Sequence, residues 1–551
     1  MAEFKSFGTN DRRYSSREDK MADLIDLDRK ILQLIAKRGE KLRGLARGGD
    51  KAHNLVEPDV EKELWRAWEG SGRENTLDPK LLRQLFVHTN LLAQASKKKS
   101  RQTGRSYLLA PKSDPLAVAV KGPRSLRVTR MLSMLAAMGN CDTTLSGVVL
   151  NDPCIELIKS LNQAGGHLSW TDDAIVNTPA SGFPDNGIDF EGKVIFVGEN
   201  HLNFYMLVAL ALRGAGRCKF VGGTDLKLLN VKPLNKLLAS LGARLSSLNP
   251  HSPGLPVRLE CGGRMASTIT LDPDTPADFA VALALSACTY ENGLTICFPQ
   301  NDELQDRLRI AVFALNLCGI SARLEKGECI IESGTPEVAE NPELYMDPVL
   351  SSYLMVLPAF NFGKVRLEGA MPGYGPRASF LMNELKEMGF QMNVTQGGVG
   401  VDGWRIPEGK RIELGQYEEF YPLGLALGLA AGKEVEVRVA DDPSVTLLGV
   451  EMLERLQADF ELNGSYVTIR PSRLTWEDSW AAPGPYFIMA LALIAFKRRG
   501  IAIENPGELT ALWPQFWSMY NALPTGVPVP KPETTGQEAD VKGSKKRRIR
   551  V

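Results

Sequence analysis

Neither the eight cysteines nor the five histidines cluster at metal-ligand spacing. No metal site is predicted, and no cofactor. Cys218, Cys297 and Cys318 stand inside apolar segments, the pattern of buried, reduced thiols and so of a cytoplasmic protein. Long hydrophobic runs are also missing. Each apolar stretch is broken by glycine or charge before it reaches the length of a bilayer span. The first residues, with Asp11, Arg12 and Arg13, lack the apolar core of a signal peptide. There is no excess of either charge, since 65 Lys and Arg balance 65 Asp and Glu. No global field therefore draws the chain to nucleic acid or a membrane surface. What remains is a chain of 551 residues, long enough for two or three domains with sizeable cores.

One unit recurs through most of that length. Residues 204–212 form an uninterrupted apolar helix candidate. A turn with Gly214 and Gly216 follows, then a short strand at 218–221. A second, amphipathic helix carries Leu234, Leu237, Leu238 and Leu241 on one face, stops at Gly242 and leads into a strand at 243–245. The apolar helix returns at 279–285, 354–357 and 423–429, and Arg130 to Leu168 and Tyr486 to Leu523 fit at the two ends. That makes six copies, roughly 70–77 residues apart. A helix that is apolar all round must be buried on every side, so each copy is a small α/β layer around a buried helix.

Before the repeats the sequence is helical. Leu24, Leu27, Ile31, Leu34, Leu42 and Leu45 form a stripe near heptad spacing. Arg38 falls on that stripe, either as an arginine snorkelling from a helix edge or as an anion ligand inside a bundle. A shorter helix follows with Val60, Leu64, Trp65 and Trp68 on its apolar face and Glu61 beside it. A third starts at Pro79. The chain divides into a disordered start (1–20), a helical domain (21–96), a basic linker (97–106), the repeat region (107–523) and a disordered, Pro-rich basic tail (524–551).

The long–short–long helix order, with its best local match at residues 26–38, resembles the all-helical chorismate mutase domain. The resemblance implies a substrate-binding role for Arg38 and Glu61 and a dimer through the helical domain. The six copies resemble the EPSP synthase family of enolpyruvyl transferases. Residues 121–130 with the following helix, residues 231–242 and residues 513–517 look like family phrases. The fold this implies is α/β. It has two lobes of three units each, and the helix N-termini of both lobes point into one cleft, which suits anions. The small all-α domain precedes it.

The reaction implied is transfer of the enolpyruvyl group of phosphoenolpyruvate to shikimate 3-phosphate, in the shikimate pathway of aromatic amino-acid synthesis. It requires cations for phosphates and carboxylates and acid/base groups for the vinyl carbon and the hydroxyl. Carried over by position, Arg124, Ser125, Arg130, Lys232 and Asp278 are the substrate-binding candidates, and Glu418 and Asp442 the catalytic ones. Other family positions have changed. The Asn-Ala-Gly-Thr loop is replaced by residues 199–205, the His-Arg pair by Pro485 and Tyr486, and the late lysine is lost within 509–512. A non-catalytic relative that binds an anionic metabolite or scaffolds pathway enzymes is the alternative.

Several of these residues have a plainer reading. Asp278, Asp347 and Glu418 precede apolar helices, where acids commonly cap. Arg130 is different, because a cation at a helix N-terminus opposes the dipole. The tail gives a first prediction. Removing everything after Gly526 should leave the melting temperature unchanged, since that segment buries no core. A large drop in calorimetry would contradict it.

Overall fold

The computed structural model describes residues 17–45, 58–99, 106–111, 116–179, 187–248, 254–263, 265–299, 301–373 and 375–523. Most of the expected disordered start, the core of the basic linker and the whole tail lie outside the described residues.

The N-terminal part is three helices, Arg17–Leu45, Pro58–Glu74 and Pro79–Lys99. The first begins inside the stretch expected to be disordered, because residues 17–20 continue its helical pattern. Phe86 is the hub. It is buried, with Trp65 and Trp68 edge-on to it at 5.5 and 5.4 Å between ring centroids. The long helix packs on the third, but only its end is covered: Leu42 is buried while Leu24, Leu27, Ile31 and Leu34 are 52–65% exposed. The stripe is present as expected, yet Leu24, Leu27, Ile31 and Leu34 are left uncovered by the described residues.

The rest folds into two lobes with separate cores. One is built from residues 128–344. The other uses residues 109–120 and 346–523, joined by Val149. In the first lobe the helices Leu126–Met138, His201–Ala211 and Ala277–Ser286 run through the middle. Nearly every side chain on them is buried, at roughly 1.5–3 kcal/mol for each large apolar residue. In the second, Pro348–Met355, Tyr421–Ala430 and Pro485–Ile494 do the same. Amphipathic helices such as Asp302–Leu317 and Pro443–Arg455 cover the outside, with small sheets between them. At Gly449 the outer helix comes so near the buried one that a Cβ would lie 2.5 Å from the Tyr421 ring. No described helix is long and apolar enough to cross a membrane.

The chain enters the second lobe first. Ala117–Lys121 runs parallel to Lys364–Glu368, and Tyr107–Leu109 pairs antiparallel with Ile501–Ile503, so the sixth sheet is closed by the two ends of the repeat region. It then crosses to the first lobe at Pro123 and returns at Tyr345. The two crossing segments are bonded to each other: Ser125 N donates to Tyr345 O at 3.0 Å and Asp347 N to Pro123 O at 2.7 Å.

Asp347 ties the crossing to both lobes. Its Oδ1 accepts from Val349 N and Leu350 N (3.0 and 3.1 Å), capping a helix of the second lobe. Its Oδ2 accepts from Leu126 N (3.3 Å), at the head of a helix in the first. The expected cap is thus a double one. Asp347→Ala strips partners from three N–H groups and should cost about 1–3 kcal/mol. Calorimetry should read this as a lower melting temperature, and an unchanged one would show the double cap to be dispensable.

Candidate functional site

The N-termini of the three buried helices of the first lobe meet at the face turned to the second. Ser125 caps the first, its Oγ accepting from Val128 N at 3.4 Å, and Asn200 caps the second through Asn203 N at 3.2 Å. Arg130 lies between them. Its Nη1 donates to Asn200 Oδ1 at 2.7 Å and to Asn203 Oδ1 at 3.2 Å. Its Nε is sealed from solvent with no hydrogen-bond partner. Burial, and then the neighbouring Arg127, pull its pKa down to about 10, while Cys154 and Asp278 act the other way. The helix starts at Leu126, not after Arg130 as the apolar run suggested. Arg130 is therefore in the second turn, and its cost comes from lost hydration more than from the helix dipole.

Arg127, one turn earlier, makes a different bond. Its Nη1 donates to Asp278 Oδ1 at 3.0 Å, and Arg307 Nη1 donates to the same oxygen at 2.6 Å. Arg307 also binds Glu303 through Nε (3.0 Å) and Nη2 (2.6 Å). Burial works to raise the pKa of Asp278, but the two guanidiniums outweigh it and hold the carboxyl below its ordinary value. Asp278 is not a cap: the helix Ala277–Ser286 has no side-chain cap bond.

The second lobe faces this wall with carboxylates. Arg377 Nη1 pairs with Glu419 Oε1 at 2.7 Å and lies over the Tyr417 ring at 5.2 Å. The Tyr353 hydroxyl donates to the backbone oxygens of Glu419 and Tyr486, both at 3.2 Å, and so ties together the heads of the second lobe's buried helices. Glu418 is exposed and caps nothing. Partial burial, then Asp442, Glu419 and Glu303, hold its carboxyl above the usual range, with Arg377 opposing them. Glu303 belongs to the first lobe and Glu418 to the second, so the two walls lie within electrostatic reach. Asp306 and Arg377 repeat that relation. Asp442 is exposed and works as an N-cap, its Oδ1 accepting from Ser444 N at 2.7 Å; hydrogen bonding from the Ser444 side chain, and then from its backbone, keeps the Asp442 pKa low.

Of the residues named from sequence, Ser125, Arg130, Asp278, Glu418 and Asp442 come to this cleft. Arg124 turns into the crossing, where its Nη1 donates to Leu344 O at 2.8 Å. Lys232 is exposed, its backbone N–H donating to Asn230 Oδ1. Arg38 sits in the helical domain, bonded to Thr89 Oγ1 at 3.2 Å and Asn90 Oδ1 at 2.7 Å and held over the Trp68 and Phe86 rings. Glu61 is in the second helix, but its side chain lies outside the described residues. Sequence reasoning missed Arg127, Arg307, Arg377 and Glu419. The Glu303/Arg307 spacing of four was the only local signal, and it reads as an ordinary surface pair.

A cavity of about 460 Å³ occupies the opposite end of the first lobe, lined by Met138, Ala211, Arg213 and Cys288 where the buried helices finish. Helix C-termini disfavour anions, so the cleft, not this cavity, is the anion-binding candidate.

Comparison with known proteins agrees with this architecture. No family model matches the chain. Among curated relatives, the 3-phosphoshikimate 1-carboxyvinyltransferase of Syntrophobacter fumaroxidans is 23% identical over 415 residues, covering 73% of this chain and 96% of that protein. The enzyme of the same name from Bordetella petrii is 24% identical over 472 residues, covering 77% and 99%. Among solved structures, EPSP synthase from Acinetobacter baumannii superposes with a TM-score of 0.62 at 14% identity, covering 78% of this chain and all of that one. In its two lobes of repeated α/β units, and over nearly the whole length of these relatives, the chain is similar to the EPSP synthases.

Proposed function

We propose that the cleft is the ligand site of a divergent EPSP synthase, which moves the enolpyruvyl group of phosphoenolpyruvate onto a hydroxyl of shikimate 3-phosphate and releases inorganic phosphate. The observation that carries this reading is Arg130. A guanidinium shut away from water normally needs a carboxylate; this one has two amide oxygens and a sealed, unpartnered Nε. An anionic ligand would supply the missing charge at the heads of the helices starting at Leu126 and His201. Glu418 is the acid/base candidate, since its raised pKa keeps a proton available nearer neutrality than an ordinary glutamate would. Asp442 acts on Glu418 through its charge, while its own carboxylate is engaged in capping.

The alternative, a non-catalytic relative that binds an anionic metabolite or scaffolds pathway enzymes, is favoured by the other arginines. Arg127, Arg307 and Arg377 are already matched by Asp278, Glu303 and Glu419. Fewer cations are then left for multiply charged substrates. Complementation of a strain lacking EPSP synthase separates the two readings.

Arg130→Gln keeps an amide to meet Asn200 but removes the charge. It should weaken binding of shikimate 3-phosphate by roughly 10 to 150-fold, the value of one charge-assisted bond. The melting temperature of the unliganded protein should not fall, because a desolvated charge has gone. Equal loss of stability and affinity would make Arg130 merely structural. If Glu418 donates a proton, kcat should fall as pH rises through its raised pKa, and Glu418→Gln should remove that limb. A pH profile that the substitution leaves unchanged would exclude the role.

For the helical domain we propose a chorismate-linked site at Arg38 and Glu61, completed in a dimer. Among the described residues, the hydrogen-bond partners of Arg38 are neutral, Thr89 and Asn90. The exposed stripe of Leu24, Leu27, Ile31 and Leu34 offers an interface. Along the same helix, Asp23, Asp26 and Asp28 stand toward one end and Lys37 and Lys41 toward the other. A second copy laid antiparallel brings opposite charges together and covers the stripe. Sedimentation should find a dimer, and Leu27→Glu with Ile31→Glu should give a folded monomer. A wild-type monomer at micromolar concentration would overturn the pairing. Arg38→Leu should abolish any chorismate mutase activity; equal activity with higher stability would make Arg38 an edge residue.

A further inference from the structure

We infer that the cavity at the far end of the first lobe is a second ligand site, built for a zwitterionic α-amino acid with a large apolar side chain. The inference does not rest on the reading of the cleft, and it stands whether or not the cleft is catalytic.

The cavity is made by helix ends. Leu126–Met138 and His201–Ala211 finish at it, and Ala277–Ser286 reaches it through the short 3-10 turn Ala287–Thr289. Three C-termini directed at one space gather partial negative charge there. Lysine or arginine in the last turn commonly answers that charge. None of the three helices has one. The donors that meet carbonyls at two of these ends are thiols. Cys261 Sγ donates to Ala211 O at 3.7 Å, and Cys288 Sγ to Leu285 O at 3.4 Å. A thiol is a weak donor, so these carbonyls keep much of their capacity for a stronger one.

Two carboxylates belong to the same wall. Asp189 Oδ1 accepts from Glu191 N at 2.9 Å, and Glu191 Oε2 accepts from Arg217 N at 2.6 Å. The Glu191 carboxylate lies over Gly216, where a Cβ would collide with Oε2. Burial, then Cys261 and Glu191, push the Cys218 thiol up to about 12, and burial holds Cys261 at about 11. These thiols stay protonated near neutral pH, which suits neither soft metal ions nor electrophiles. Helix C-termini and carboxylates together call for an ammonium group.

The wall also carries cations. Arg213, just past the second helix, lines the cavity with its Nη2 donating to Ile188 O, and Arg217 follows in the strand Ala215–Val221. A carboxylate is the natural partner of a guanidinium. Met138, Ile188, Phe190 and Pro336 supply apolar lining. At about 460 Å³ the cavity falls within the usual size of small-molecule sites, roughly 300–1,000 Å³. An α-amino acid presents an ammonium, a carboxylate and an apolar body in one small molecule. Its zero net charge also suits a space where a lone anion would meet the helix C-termini and a lone cation the two arginines.

Calorimetric titration of the full chain with L-phenylalanine, 3-phenylpropionate and 2-phenylethylamine tests the match. Phenylalanine should bind, and each compound that lacks one of its charges should bind about tenfold or more weakly. Arg213→Gln should weaken phenylalanine and spare phenylethylamine. Glu191→Gln should weaken phenylalanine and spare phenylpropionate. A merely structural role for either residue would weaken all three ligands alike, and that result overturns the assignment. Gly214→Trp plugs the mouth. Gly214 is exposed and a Cβ on it meets nothing within 4 Å, so the melting temperature should hold while phenylalanine binding falls at least tenfold. Binding that survives this substitution, a half-ligand that binds as tightly as phenylalanine, or no binding of phenylalanine, leucine or methionine at millimolar concentration overturns the inference. If Gly214→Trp does not fold, the charge variants decide: unchanged phenylalanine affinity in both Arg213→Gln and Glu191→Gln overturns it equally.

Discussion

A guanidinium taken out of water must be answered by something, and in this cleft the arginines are answered differently. Arg127 and Arg307 share one carboxylate oxygen of Asp278. Arg377 has Glu419. Arg130 has only the amide oxygens of Asn200 and Asn203. A neutral amide offers a fraction of the stabilisation of a carboxylate at the same distance. The four residues are all arginines on helices, and what distinguishes their surroundings is the counter-charge. The fold makes this possible by bringing helices from separate units to one face. A change to the acid of any pair alters what the paired arginine can bind without altering the fold.

The gathering itself follows from hydrophobicity. The helices His201–Ala211, Ala277–Ser286 and Tyr421–Ala430 have no polar side. They can only lie inside, and three such helices in each lobe must run side by side with their ends at opposite faces. The polar residues that begin them then have one place to go. Asn200, Asp278 and Glu418 meet at the cleft because the residues after them are leucine, alanine, valine and phenylalanine. The crossing segments finish the arrangement. Asp347 caps helices on both sides of the gap with one carboxylate, and Arg124 ties the outgoing segment to Leu344 on the returning one.

This division explains what could be read in the sequence. The apolar runs announced the buried helices and their repetition, because burial of a whole helix leaves a whole-helix signature. They misplaced helix starts by up to a turn. The run before Met138 appears to begin after Arg130, yet the helix begins at Leu126, since a capped first turn can carry arginines on its open side. The stripe from Leu24 to Leu34 was equally legible as a pattern, but a pattern does not say what covers it, and the described residues leave most of it bare. Arg130 and Asp278 were found as candidates because they stand next to the runs. Arg307 and Arg377 were not, because they lie on amphipathic helices whose polar faces look like any solvated surface. Their partners are separated from them by 29 and 42 residues, as the positions of Asp278 and Glu419 show. Nothing local in the chain records those pairings.

The capping expectation separates along the same line. Asp347 caps as expected, and Asp442, named from sequence as a catalytic candidate, caps too; both precede proline, which at the first helical position leaves the following N–H groups turned back to the acid. Asp278 and Glu418 cap nothing. Asp278 is already within its helix, past the point from which its side chain could turn back, and Glu418 is separated from the helix start at Tyr421 by two further residues. An acid at a helix head that makes no cap bond is left with its charge uncommitted to the backbone. At Asp278 two arginines take up that charge. At Glu418 partial burial, and then Asp442, Glu419 and Glu303, push the carboxyl's pKa above its ordinary value. Two acids of the same origin, each set at the head of a buried helix, are thereby driven to opposite protonation preferences by the side chains that happen to face them. A separation of that kind, one carboxyl held below its ordinary pKa and another above it, is the raw material of acid/base chemistry. In this cleft it arises from the pairing of charges across units, which is the same constraint that leaves Arg130 alone.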